Sequence, residues 1–244
     1  MTRAILFDFG GTLDFPRHWL DRFVAHYQAA GADIERTAFD RAFTLATRKA
    51  YASSATLRNY SLSQLVGFLV DLQLENLGHG SAWRHSLTEP RSTQGTRELV
   101  QRIRDSFVSE SAVGFAMARP LLASLAQSFK IAVVSNFYGN LDRVIAEAGF
   151  LPSVSAIADS GLVGFYKPDP RIFATALSRL AVEPQHAVMV GDSIAKDCAP
   201  AREMGMKTVW LRHRGVNGQI APSAMVDVTI DSLEELKNFR WTSG

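Results

Sequence analysis

Five short runs constrain the fold of this chain: Ala4 to Phe9, Ile131 to Ser135, Ala156 to Asp159, Ala187 to Val190 and Lys207 to Leu211 are each nearly all apolar. A strand with one wet face alternates apolar and polar residues. A near-continuous apolar run belongs instead to a strand covered on both faces, the condition of a parallel sheet. Patterns of helical period separate the later runs. Leu141, Val144, Ile145 and Ala148 mark one at Asn140 to Ala148, stopped by Gly149; a second spans Asp169 to Leu180, and a third, Ser193 to Met204, ends at Gly205. This alternation predicts a doubly wound α/β core. A strand at Asp227 to Ile230 and a helix at Ser232 to Phe239, capped by Asp231 or Ser232, would close it.

Between the first run and the second the strand character disappears. Trp19, Leu20, Phe23, Val24 and Tyr27 form one amphipathic stripe; Phe39, Ala42, Phe43, Ala46 and Ala50 form another. Leu62, Leu65, Val66, Leu69 and Val70 make a third, and Leu99, Val100, Ile103 and Phe107 follow a polar stretch, Gly78 to Gly95, that reads as a loop. At 244 residues the chain is long for one domain and short for two. The expectation is therefore α/β: a Rossmann-like parallel-sheet core, residues 1–14 and 113–244, with an inserted all-helical domain, residues 15–112. The aromatic stripes read as packing surface.

A formal net charge of +2, with Lys and Arg scattered singly, leaves no electrostatic footprint for nucleic acid. No apolar run reaches the roughly 18 residues of a membrane span, and Asp8 interrupts the first apolar run too early for a signal peptide. Cys198 is the only cysteine, so no internal disulfide forms. We expect a cytoplasmic protein without nucleic-acid or membrane partners, either monomer or homodimer.

The candidate chemistry sits at the predicted carboxyl ends of strands, the edge where open α/β sheets bind ligands. Asp8, followed by Gly10, Gly11 and Thr12, presents a carboxylate on a tight turn. Ser135 and Asn136 end the second run ahead of a helix, where a hydroxyl and backbone N–H groups can face an anion, or simply cap the helix. Lys167 lies in Gly164-Phe-Tyr-Lys-Pro-Asp-Pro, with Pro168 and Pro170 fixing the backbone around it. Asp192 ends the fourth run, and Asp197 follows on the next helix. Two acids converging on one edge suit a hard divalent cation, which wants oxygen ligands.

In this order, Asp8 to Thr12, Ser135, Lys167 and Gly191-Asp192 through Asp197 resemble the four motifs of haloacid dehalogenase-like hydrolases, over nearly the whole chain. The insertion resembles the helical cap that similar proteins carry between the first and second motifs. The resemblance implies a phosphatase acting on a small phosphorylated metabolite, with Asp8 as the nucleophile that forms an aspartyl-phosphate. It further implies Ser135 and Lys167 as catalytic groups binding the transferring phosphoryl, with Thr12 and Asn136 beside them. Mg²⁺ would be held by Asp8, the Gly10 carbonyl, Asp192 and Asp197.

One position departs from the pattern. Similar phosphatases carry a second Asp two residues after the nucleophile, as general acid and base; here Gly10 stands there. Such catalysis contributes about 10²- to 10⁴-fold. The acid could come from Asp14, His18 or the substrate. Other readings are a phosphonate- or haloacid-cleaving enzyme, or a weakly active or non-catalytic binding protein. Phosphonatases use a cap lysine, for which Lys49 is the one candidate in the insertion. Arg17, His18, Arg58 and Tyr60 are candidates to face the substrate, and Gly10→Asp should favour alkyl phosphates if the insertion leaves room.

Overall fold

A computed structural model of the chain describes residues 1–78, 83–84, 93–213 and 225–238. In chain order the elements are β1 (Ala4–Phe7), α1 (Trp19–Ala29), β2 (Asp33–Ile34), α2 (Arg36–Ala52), α3 (Ser54–Leu57), α4 (Leu62–Gly78), β3 (Trp83–Arg84) and α5 (Thr93–Leu125). Then come β4 (Lys130–Ser135), α6 (Leu141–Glu147), β5 (Ala156–Asp159), α7 (Ser160–Val163), α8 (Pro170–Leu180), β6 (Ala187–Gly191), α9 (Ala199–Glu203), β7 (Lys207–Leu211) and β8 (Val228–Ile230).

Six strands make one parallel sheet in the order β5-β4-β1-β6-β7-β8. β1 lies at its centre, and its four residues are all buried. Ile5 and Phe7 face the cluster that continues into the helical insertion, while Ala4 and Leu6 face a second cluster under α8 with Phe173, Ala176 and Leu177. Alternating sides of each strand are thus buried against helices, which is why these runs show no polar alternation.

The helical insertion between β1 and β4 packs α2 on α4 and α4 on α5. It departs from the all-helical expectation at one point, where Asp33 and Ile34 of β2 pair antiparallel with β3. Most of the expected loop from Gly78 to Gly95 lies outside the described residues. α5 runs as one helix from Thr93 to Leu125, so position 112/113 falls along a helix and not in a linker. Two other helices differ from expectation. Ser193 to Met204 divides into a wide turn over Ile194–Cys198 and the short α9, because Pro200 at the start of α9 has no N–H to extend a regular ladder backwards. The last helix is a tight 3₁₀ segment, Leu233–Asn238.

A buried polar knot ties the insertion to the turn after β1. Arg22 of α1, fully buried, donates to Asp14 Oδ2 at 2.5 Å, to Glu110 Oε2 at 2.7 Å and to Ser111 Oγ at 2.6 Å on α5. Its guanidinium also lies 3.8 Å from the centre of the Phe107 ring. Each charge has a partner, which a buried ion pair requires if it is not to destabilise the fold.

Close approach at the same junction demands a particular glycine. A Cβ on Gly114 would fall 1.8 Å from the backbone oxygen of Asp14, so α5 can press against this turn only with hydrogen at 114. Gly67 of α4 has ordinary clearance, 3.6 Å to Arg104 Cδ. Alanine ordinarily stabilises a helix interior by up to about 1 kcal/mol relative to glycine. We therefore expect Gly67→Ala to leave stability unchanged or higher, and Gly114→Ala to lower it by about 3 kcal/mol through overpacking against backbone, read by urea unfolding of both variants.

Candidate active site

β1 ends at Phe7, and Asp8 is the first residue beyond it, its N–H still bonded to Val190 O at 2.9 Å. The chain then turns through Phe9–Leu13, with Gly11 at φ +87°. That conformation strains any residue bearing a Cβ, and a Cβ there would also lie 2.6 Å from Asp192 Oδ2. Gly11 is thus the condition for bringing the ends of β1 and β6 together.

Five expected residues converge at this edge. Asp8 Oδ1 accepts from Lys167 Nζ at 2.6 Å and from Ser135 Oγ at 3.0 Å. Lys167 Nζ donates equally to Asp197 Oδ1 at 2.6 Å, while Ser193 N–H donates to Asp197 Oδ2 at 3.0 Å. Asp8, Asp192 and Asp197 each offer an oxygen, all within 4.8 Å of one another. Asn136 fixes the lysine from behind: its Oδ1 accepts Lys167 N–H at 2.6 Å and its Nδ2 donates to Lys167 O at 3.0 Å. The Asn136 side chain thus positions Lys167, and it also lines the cavity. Thr12 is buried, its hydroxyl without a hydrogen-bond partner among the described residues, and it does not line the cavity.

Three carboxylates around one ammonium leave an excess of negative charge in a site where Asp8, Lys167 and Asp197 are each at most 6% exposed. Burial pushes the Asp8 carboxyl up, with Lys167 opposing and Asp192 reinforcing the rise. Burial likewise lifts Asp197 to about 7, against the pull of Lys167 and with Asp8 and Asp192 adding to it. Burial alone would lower Lys167, but Asp197 and Asp8 outweigh it and hold the ammonium above its ordinary range. A cluster of this kind either keeps a proton or takes up a cation, and its all-oxygen donor set fits a hard cation such as Mg²⁺.

The carboxylates open on a cavity of about 160 Å³ whose other walls are Trp19, Phe43, Thr47, Tyr51, Phe137 and Tyr138. Trp19 and Phe43 belong to the stripes read as packing surface; they pack and also face the site. Tyr51 stacks on Tyr138 with ring centres 4.9 Å apart. Of the four residues expected to face the substrate, His18 lines the cavity. Arg58 is instead bonded to Asp142 and Gly139 O, Tyr60 packs against Phe68, and Arg17 is exposed outside the lining. Lys49 pairs on the surface with Glu75 at 3.0 Å, away from the cavity.

Gly10 lines the cavity with no side chain, and the space beside it is tight. A Cβ at this position would meet Trp19 Nε1 at 3.3 Å. The indole would have to give by a few tenths of an ångström to admit a side chain at position 10, so the Gly10→Asp expectation turns on whether Trp19 can shift. Asp14 is removed as an acid: it is buried outside the lining, bonded to Gly11 N–H at 2.7 Å, Trp19 Nε1 at 2.6 Å and Arg22. Sequence reading missed His213, whose Nε2 lies 3.1 Å from Asp192 Oδ2; no motif or period marks it.

The family model of haloacid dehalogenase-like hydrolases matches residues 2–205. A phosphoserine phosphatase from Thermus thermophilus is 37% identical over 107 residues, 43% of this chain and 42% of that protein, so the match spans less than half of it. Haloacid dehalogenase-like hydrolase domain-containing protein 3 from Bos taurus is 29% identical over 217 residues, 84% of this chain and 79% of its own length. Among solved structures, a dehalogenase superposes with a TM-score of 0.65 at 18% identity, covering 99% of this chain and 98% of that one, which shows a shared fold.

Removing the cation from the cluster should be far worse than removing an anion. Lys167→Met leaves buried carboxylates without their partner and is expected to destabilise the metal-free protein by about 3–5 kcal/mol. Asp192→Asn relieves the excess charge and should raise its melting temperature. Thermal unfolding in chelator reads both, and a Lys167→Met protein as stable as the parent would contradict this electrostatic account.

Proposed function

This chain belongs to the haloacid dehalogenase-like hydrolases, and from that premise we propose that it is a Mg²⁺-dependent phosphatase of small phosphorylated metabolites, working through an aspartyl-phosphate on Asp8. The observation that carries this reading is the shared ammonium of Lys167, 2.6 Å from both Asp8 and Asp197. It holds one oxygen of the Asp8 carboxylate and sets the residue at the sheet edge. A surface turn would leave Asp8 solvated and unoriented.

Phosphoryl transfer joins an anionic nucleophile to an anionic substrate, so positioning and charge neutralisation dominate its catalysis. Asp8 attacks phosphorus. Lys167 and Ser135 lie against the attacking carboxylate and so reach the oxygens of the group transferred to it. Asp8, Asp192 and the Gly10 carbonyl would hold Mg²⁺, with Asp197 anchoring Lys167 beside it; the ion supplies positive charge against the incoming phosphate. The relative named as a phosphoserine phosphatase supports phosphate ester hydrolysis, within the 43% of the chain that it matches.

We take residues 15–112 as a cap over a core of 1–14 and 113–244. The cavity supports this, since its walls come from α1 and α2 on one side and the strand ends on the other. Such a cap keeps bulk water off a small substrate. No helix among the described residues is long and apolar enough to cross a membrane. Burial pushes the lone Cys198 thiol up and keeps it inert, which suits a cytoplasmic enzyme. The phosphonate-cleaving reading loses its lysine, because Lys49 is paired outside the cavity.

The test is hydrolysis of p-nitrophenyl phosphate with and without Mg²⁺. Turnover should require the ion, and Asp8→Asn should lose it while keeping the parent's circular dichroism spectrum. Asp8→Asn activity above about a tenth of the parent rules out the covalent route, since a residue that forms the intermediate is not dispensable. No turnover of the parent protein favours the binding-protein reading.

A further inference from the structure

Among the described residues that line this cavity, the groups that could protonate a departing oxygen are bonded elsewhere or not fixed: Asp197 accepts Lys167 Nζ on one oxygen and Ser193 N–H on the other. Position 10 has no side chain, and the indole of Trp19 stands against it. That indole N–H is itself bonded to Asp14, whose carboxylate is taken by Gly11, Trp19 and Arg22. Lys167 is clamped between Asp8 and Asp197. Burial raises the phenols of Tyr51 and Tyr138 above their ordinary value, Tyr138 to about 12, which makes both poorer acids. Lys196 is exposed, with no side-chain bond among the described residues to fix it over a reacting oxygen.

His18 remains, and its geometry assigns it a different task. It caps α1, its Nδ1 accepting Leu20 N–H at 3.2 Å. An accepting Nδ1 carries no proton, so the ring in this bond is the neutral tautomer with its N–H on Nε2. Such a ring can donate a hydrogen bond into the cavity through Nε2, but giving up that proton would leave an imidazolate, so it is a poor proton donor. The charged groups facing the same space are Asp8, Lys167, Asp192, Lys196 and Asp197; α2 presents the neutral Phe43 and Thr47, and Arg17 and Asp21 flank the ring in sequence.

Resting on the phosphatase reading, we propose that the substrates are phosphates of acidic leaving groups, namely aryl, enol or acyl phosphates with a small, flat apolar body, which depart as anions without being protonated. The apolar walls and small volume suit that body. In the first step an oxygen of Asp8 bonds to phosphorus and the bond from phosphorus to the leaving oxygen breaks, its electron pair leaving as the stable aryloxide, enolate or carboxylate. In the second, water oxygen bonds to phosphorus, the bond to Asp8 breaks and returns its pair to the carboxylate, and of the water's two protons one stays on the attacking oxygen and the other passes to a phosphoryl oxygen, so that dihydrogen phosphate is released.

The test compares kcat/KM, with Mg²⁺, for p-nitrophenyl, phenyl and benzyl phosphate, whose bodies are similar and whose leaving groups differ in acidity. With no general acid, the value should fall about a thousandfold or more from p-nitrophenyl to benzyl phosphate, the scale of the missing contribution. Benzyl phosphate turned over within tenfold of p-nitrophenyl phosphate would overturn the proposal and leave the phosphatase reading standing; no turnover of any member would sink both. His18→Gln should leave the ratio of p-nitrophenyl to phenyl turnover unchanged. A tenfold rise in that ratio identifies His18 as a proton donor and overturns the proposal.

Discussion

A single buried ammonium organises this protein's functional edge. Lys167 bridges Asp8 and Asp197, two carboxylates that burial would otherwise force toward protonation, and Asn136 locks the lysine's backbone so that the bridge has one geometry. Without that cation the strand ends of β1 and β6 would carry like charges a few ångströms apart. With it, the three carboxylates still outnumber the one ammonium, and an oxygen-lined site with excess negative charge is prepared for a divalent cation.

The fold supplies the rigidity that this cluster needs. β1 is the centre of the sheet, so Asp8 is placed by two neighbouring strands at once. Its turn continues directly into Asp14, where Arg22 and α5 grip the chain. The insertion is therefore joined to the turn that carries Asp8, and Trp19, one turn above that knot, reaches the space beside Gly10. The Trp19 indole that stands against Gly10 is also part of the cavity's apolar wall.

Much of this was legible in the sequence because it was periodic or rigid. The apolar runs identified the parallel sheet, and the residues bound to special backbone, Gly11 and the prolines around Lys167, marked where side chains would be fixed. Asp8, Ser135, Lys167, Asp192 and Asp197 all arrived at the sheet edge. What could not be read were properties set by distance through space. Asn136 and Thr12 share the motif positions, yet one clamps a lysine and the other is buried away from the cavity. Trp19 and Phe43 satisfy a helical stripe whether or not they face a site, and Arg58 and Tyr60 looked equally available before Asp142 and Phe68 claimed them. The β2 to β3 pair is too short to leave a pattern.

The central claim is that Asp8 carries the phosphoryl group. Rapid acid quenching during turnover of phosphate-labelled substrate, followed by proteolysis and mapping of the labelled peptide, tests it most directly. The account predicts an acid-stable, hydroxylamine-sensitive label on the peptide containing Asp8; turnover that leaves no label there, or that labels another residue, would contradict it.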